Sequence, residues 1–166
     1  MERLTKEDVK KIEAEIEERK LVVRPKALED LKEARSHGDL SENFEYYAAK
    51  KFKNQNESRI RYLDRMLRTA EIVEDEAKED EVGINNTVTL LILEDEVEET
   101  YKLVTSVRAN SLEGLISIES PLGSAMRGRK VGDVITVHVN DGYSYEAKIL
   151  KIDKTTDDAN DRIRSY

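Results

Sequence analysis

Asp39 and Glu42 stand three residues apart in "SHGDLSEN", a polar stretch between two helix-like runs in which only Leu40 is apolar. Across a turn, that spacing lets both carboxylates reach one cation. Hard oxygen donors of this kind suit Mg²⁺, which keeps several waters and takes one or two carboxylates together with phosphate oxygens. Two carboxylates on an exposed turn are too few to hold the ion alone. The chemistry they would serve is a shared site, completed by a partner's carboxylates and a nucleic-acid phosphate, where the ion activates a water or supports a leaving oxygen. A plain reading stands beside this one: Asp39 is a good turn former and Glu42 a good first-turn residue at a helix N-terminus. Asp-x-x-Glu pairs are common on surfaces, and chemistry alone favours the plain reading.

The flanks say what carries the pair. From Thr5 to Arg35 the apolar positions Val9, Ile12, Ile16, Val23, Ala27, Leu31 and Ala34 recur at helical intervals and predict one narrow apolar face. Thr5 and Asp8 resemble a capping box with Asp in place of Glu, and Pro25 predicts a kink or a register shift. Ser41 is the expected N-cap of a second helix from about Glu42 to about Glu76. Its stripe is Ala48, Phe52, Leu63, Met66, Leu67 and Ala70, with Tyr62 alongside. Two thin stripes joined by a short turn predict an antiparallel hairpin, a two-stranded coiled coil. At about 1.5 Å per residue its arms are roughly 45 Å long, and the acidic turn is its tip.

The acidic, turn-like segment "EDEAKEDEVGINN" (Glu74 to Asn86) reads as a boundary, giving a hairpin over residues 1–77 and a second domain over 78–166. In the second domain the period changes to two. "NTVTLLIL", "ETYKLVTSV", "GLISIE", "DVITVHV" and "YSYEAKILKID" predict five strands. "SPLGSAMRGRKVGD" predicts one short helix, begun at Ser120-Pro121 and closed by Gly128. The fold class is therefore α+β, with an antiparallel-leaning sheet. The stretch after Asp153 has no usable pattern and is expected to fray.

Composition narrows the function. The net charge of −8 argues against free nucleic acid as the primary partner and allows a protein partner that itself holds the nucleic acid. With no cysteine, disulfides and thiolate metal sites are excluded, and a reducing cytoplasm is the expected compartment. No signal-peptide segment or membrane span is expected.

Two stretches carry a family resemblance. "EARSHGDLSENFEYYAAK" resembles the tip signature of the bacterial Gre transcript-cleavage factors, close to E-A-R-x-H-G-D-L-S-E-N-x-E-Y-x-A-A-K. "ISIESPLGSAMRGRKVGDVITV" is similar to that family's second signature, and the likeness runs from Leu4 to Asp153. The resemblance implies a coiled coil followed by an FKBP-like domain that docks on bacterial RNA polymerase at the rim of its secondary channel. It implies that the coiled coil enters the channel and that Asp39 and Glu42, the catalytic acidic pair, help the polymerase hold its second Mg²⁺. Backtracked nascent RNA is then hydrolysed by the polymerase. On this reading the protein is an elongation factor, not an enzyme by itself, and a monomer that binds Mg²⁺ only weakly when alone. A family paralogue that enters the channel and inhibits without cleavage is the alternative. A prolyl isomerase, also suggested by the fold, is disfavoured because both Phe residues fall in the hairpin and there is no Trp.

Around the acids, Gly38, Leu40, Ser41 and Asn43 are the expected tip support. His37 reads as structural, while Tyr46 and Tyr47 divide between packing and stacking on RNA. Lys50 and Lys53 are the RNA-facing candidates on a basic stripe that continues through Arg61, Arg65 and Arg68, where Glu57 and Asp64 are placed to pair with Arg61 and Arg68. Ser120, Pro121, Arg127, Arg129 and Lys130 are the candidates for polymerase docking. Three departures from the family pattern fall in the second domain: "INNTV" where Gly-Ser is usual, Arg108 and Asn110 where Glu and Asp are common, and a longer tail. They put docking affinity and regulation in question, not the tip.

Overall fold

The structure is a computed structural model that describes residues 2–38 and 43–165. It divides into two units, Asp8–Glu71 and the combination of Glu2–Glu7 with Ile72–Tyr166. Among the described residues no helix is long and apolar enough to cross a membrane.

Helices α1 (Lys6–Glu18) and α2 (Arg24–Arg35) make the first arm of a hairpin, and α3 (Phe44–Thr69) makes the second. The arms run antiparallel, since hydrogen bonds pair Asn43 with Ala34, Arg24 with Glu57 and Arg59 with Glu15. Between α1 and α2 lies a π-helical turn, Arg19–Val23, just ahead of Pro25. The proline ring has no N–H and crowds the carbonyl one turn back. The ladder widens there, and Arg24 N–H donates to Arg19 C=O, five residues back. This is the register shift expected at Pro25, and it leaves Leu21 and Val22 66% and 56% exposed.

Ile12, Ala27, Leu31 and Ala34 are buried in the first arm, and Ile60, Leu63 and Met66 in the second. The second arm corrects the expected stripe. Ala48 and Phe52 face solvent, whereas half-buried Tyr46, Ala49 and Lys53 lead into buried Asn56, Ile60 and Leu63 at alternating steps of three and four. That is a heptad seam with polar members, and a count of apolar residues alone passes over it. The helix also starts and stops elsewhere than predicted. Its N-cap is Asn43, not Ser41, and it ends at Thr69, because Ala70 turns to an extended backbone with ψ 148°.

In the second unit Leu4 is fully buried, and its carbonyl accepts from Val73 N–H. The sheet consists of β1 (Thr87–Ile92), β2 (Val97–Val104), β3 (Leu115–Ser117), β4 (Val134–Asn140) and β5 (Tyr143–Asp153), in the spatial order β3-β2-β1-β5-β4. All neighbours are antiparallel except β2 and β3, which run parallel, so the sheet is mixed. Alternation in β1 buries Val88, Leu90 and Ile92 with Leu103, Ile135, Val137, Ala147 and Ile149. Helix α4 (Pro121–Met126) begins as predicted, with Ser120 Oγ accepting from Gly123 N–H at 3.0 Å. It ends just before Gly128, whose φ is +80°. Gly123 permits a close approach to β3: a Cβ there would lie 1.8 Å from the Ser117 carbonyl oxygen.

The end of the Glu74–Asn86 stretch belongs to this unit, for Val82 and Ile84 are core residues and Val82 exchanges backbone hydrogen bonds with Arg129 and Gly128. One expectation for this unit changes: the tail does not fray. Asp161 accepts from Arg108 at 2.7 Å and from Lys102 at 3.0 Å, and Arg164 N–H donates to Val107 C=O at 2.6 Å. Arg108, only 1% exposed, also donates to Asn85 Oδ1 at 2.8 Å. Residues from all three departures thus meet: Asn85 and Asp161, the latter from the longer tail, both accept from Arg108 Nη1.

Candidate functional site

The site is the connection between α2 and α3. Its first side is closed by Ser36 and His37, whose N–H groups donate to Glu33 C=O at 3.0 Å and Ala34 C=O at 3.2 Å. Gly38 follows with φ +118°, and nothing stands within 4 Å of where a Cβ would be. Backbone conformation, not crowding, calls for glycine there.

Asn43 holds the other side with both ends of its amide. Its Oδ1 accepts from Tyr46 N–H at 3.0 Å, which caps α3, and its Nδ2 donates to Ala34 C=O at 2.7 Å, which ties the two arms together. The segment between Gly38 and Asn43, with its ends held in this way, contains Asp39, Leu40, Ser41 and Glu42, which lie outside the described residues. Among the described residues no group of three or more acidic or histidine side chains is placed to hold a metal.

Beside the connection, His37 Nδ1 lies 2.8 Å from Glu45 Oε2, both partly exposed, so His37 has a local partner. Arg35 sits over the half-buried Tyr46 ring at 5.7 Å, while Tyr47 is half exposed and Phe44 is 86% exposed. Lys50 is exposed and Lys53 is partly buried on the seam side. Farther down, Glu57 does not pair with Arg61 as expected. It takes two hydrogen bonds from Arg24, at 2.8 and 3.0 Å, which hold its carboxyl below the usual glutamate range. Asp64 and Arg68 do pair, at 3.3 Å.

Sequence reasoning missed a polar cluster in the seam, made by Glu15, Arg19, Asn56 and Arg59. Burial pushes the Glu15 carboxyl up, but hydrogen bonds from Arg59 and Arg19 outweigh it and hold it below the usual range. The signal was present in the spacing, since Asn56 falls on the heptad line through Ala49, Lys53, Ile60 and Leu63.

In the second unit, Ser120 is half-buried and caps α4, Pro121 is exposed, and Arg127 is half-buried. Arg129 and Lys130 are exposed, with Lys130 Nζ 3.2 Å from Asp80. That pairing lowers the Asp80 carboxyl.

The amino-terminal family description "Transcription elongation factor, N-terminal" matches residues 2–72, which defines the class as transcription elongation factors. A second, "Transcription elongation factor, GreA/GreB, C-term", matches residues 76–154. The chain belongs to the GreA/GreB family of transcription elongation factors. It is 46% identical over 153 residues to transcription elongation factor GreA of Streptococcus pneumoniae serotype 19F, covering 92% of this chain and 95% of that one. Against GreA of Streptococcus sanguinis it is 47% identical over the same length and coverage. A solved structure of the transcription factor Gfh1 is 27% identical, covers 90% of this chain and 96% of that one, and superposes with a TM-score of 0.44.

Proposed function

We propose that this protein stimulates cleavage of backtracked RNA by bacterial RNA polymerase, its hairpin entering the secondary channel while the sheet unit docks on the rim. The observation that carries the reading is the acidic pair Asp39 and Glu42 on a connection held from both sides by the Ala34 carbonyl and the Asn43 amide. Their donors fit the group the family implies. Two carboxylates offer hard oxygens suited to Mg²⁺, and too few of them to hold it without partner carboxylates and RNA phosphate. When bound, Mg²⁺ supplies the positive charge that activates a water and steadies a leaving oxygen.

This chain contributes positioning. Gly38 lets the backbone leave the first arm, Asn43 starts the second, and the acids are presented between them. Lys50, exposed near the same end of α3, offers positive charge to an RNA phosphate, and Lys53 supports it from the seam side. Ser120, Pro121, Arg127, Arg129 and Lys130 form the docking candidate on the sheet unit. The hydrolysis belongs to the polymerase, whose compartment, the cytoplasm, is also this protein's; it works there as a monomer.

The test is a backtracked elongation complex given purified protein and Mg²⁺, with the RNA sized afterwards. Shortened RNA is expected. Asp39→Asn and Glu42→Gln should abolish the shortening and leave polymerase binding nearly intact. Blocked complexes with full-length RNA in the presence of the unsubstituted protein would refute this function and identify an inhibitor instead.

A further inference from the structure

The arms of the hairpin are joined by more than an apolar seam. Arg19 Nε donates to Glu15 Oε2 at 2.7 Å and Arg19 Nη1 to Asn56 Oδ1 at 3.0 Å. Arg59 reaches the same Glu15 carboxylate at 2.8 and 3.3 Å from the opposite arm. Asn56 Nδ2 donates to the backbone carbonyl of Arg19 at 3.2 Å. Arg19 opens the π turn, the one place in the first arm where the hydrogen-bond ladder widens. Asn56 is 3% exposed and Arg59 9%.

This layer distinguishes one alignment of the arms from its neighbours. A slip of one turn in either direction, about 3.6 residues, takes Asn56 away from both the side chain and the carbonyl of Arg19. Glu15 is parted from Arg59 by the same slip. The apolar positions discriminate less, for Ala27, Leu31, Ala34, Ile60 and Leu63 are all small or aliphatic. The connection does not settle alignment by length either, since residues 36–43 exceed the roughly two to five residues of a tight helical hairpin.

We infer that Glu15, Arg19, Asn56 and Arg59 are positioning residues that set the axial alignment of the two arms, and with it which part of the connection stands at the apex. Buried polar groups in a coiled-coil seam select register at a cost in stability. The same trade applies here.

The chain has no cysteine, so spin labels at Lys32→Cys and Lys51→Cys, exposed positions on opposite arms, report the distance between them in the full-length protein. The parent should give one narrow distance. Glu15→Leu/Asn56→Leu/Arg59→Leu should keep its helical content and melt at the same or a higher temperature. Its distance distribution should broaden or gain a second maximum, as the arms slip past each other by one turn, roughly 5 Å along the axis. If the triple variant fails to fold, Asn56→Leu alone carries the test, with the same broadening expected. A distance that stays single and narrow overturns the inference, whatever the melting temperature does. The measurement uses no polymerase, so its failure is separate from any failure of the proposed function.

Discussion

Replacing Asn43 by Ala removes two bonds at once, and the structure sets their sizes. Loss of an N-cap side chain costs about 1 kcal/mol. The bond from Asn43 Nδ2 to Ala34 C=O comes in at the low end for a hydrogen bond, about 0.5–1 kcal/mol, because that carbonyl keeps the His37 N–H as a partner. Together the change is about 1.5–2 kcal/mol, a shift of roughly 10- to 30-fold in the local opening equilibrium by the usual 1.4 kcal/mol per decade. It should fall on the connection and the first turn of α3, not on the whole hairpin, whose seam lies farther down. Amide hydrogen exchange by NMR is the assay: Tyr46 N–H should exchange about 10- to 30-fold faster, while amides near Leu63 stay as they were. Asn43→Asp separates the two bonds, since its carboxylate still caps α3 but has no donor for Ala34, so Tyr46 should regain most of its protection. RNA cleavage should fall in the Ala variant with polymerase binding retained. Unchanged exchange at Tyr46 in Asn43→Ala would show that the amide holds nothing, and the account of the tip would fail with it.

The other predictions concern the seam and the tail. Glu15 and Glu57 have folded pKa values below the ordinary 4.5. Their pairing therefore stabilises the hairpin above that pH and is lost as pH falls through the folded values; thermal melts followed at 222 nm should drop below about pH 4.5, and less steeply in Arg24→Leu/Glu57→Leu. Asp161→Ala leaves Arg108 buried without its carboxylate partner and should cost about 3–5 kcal/mol, read by denaturant unfolding, while Arg108→Met/Asp161→Leu should recover most of it. Gly123→Ala should destabilise the sheet unit well beyond the roughly 1 kcal/mol expected of Ser120→Ala, since its Cβ would meet the Ser117 carbonyl at 1.8 Å; equal melting temperatures for the two variants would contradict the close approach.

Much of this architecture is legible before any coordinates exist. A period near 3.6 that gives way to a period of two predicts a helical hairpin followed by a sheet, and "NTVTLLIL" or "YSYEAKILKID" reads as a strand because alternation buries one face. Pro25 announces its register shift through a missing donor, and Ser120-Pro121 announces α4 through cap chemistry. Asp39 and Glu42 are visible as a pair from residue type and spacing alone. These are local properties, governed by sterics and hydrogen-bond supply within a few residues.

The polar interior obeys a different rule, and only the tertiary structure decided it. A charge or amide enters a core where a partner arrives with it, and the partners here come from far along the chain: Glu15 for Arg59 at a separation of 44 residues, and Asp161 for Arg108 at 53. Hydropathy patterning sees each of these residues alone and assigns it to solvent. For the same reason Asn56 lies buried in the seam while Ala48 and Phe52, members of the expected stripe, face solvent, and the tail that was expected to fray is anchored by an arginine buried in another loop. Burial of polar groups is a property of pairs, and pairs are made by the fold.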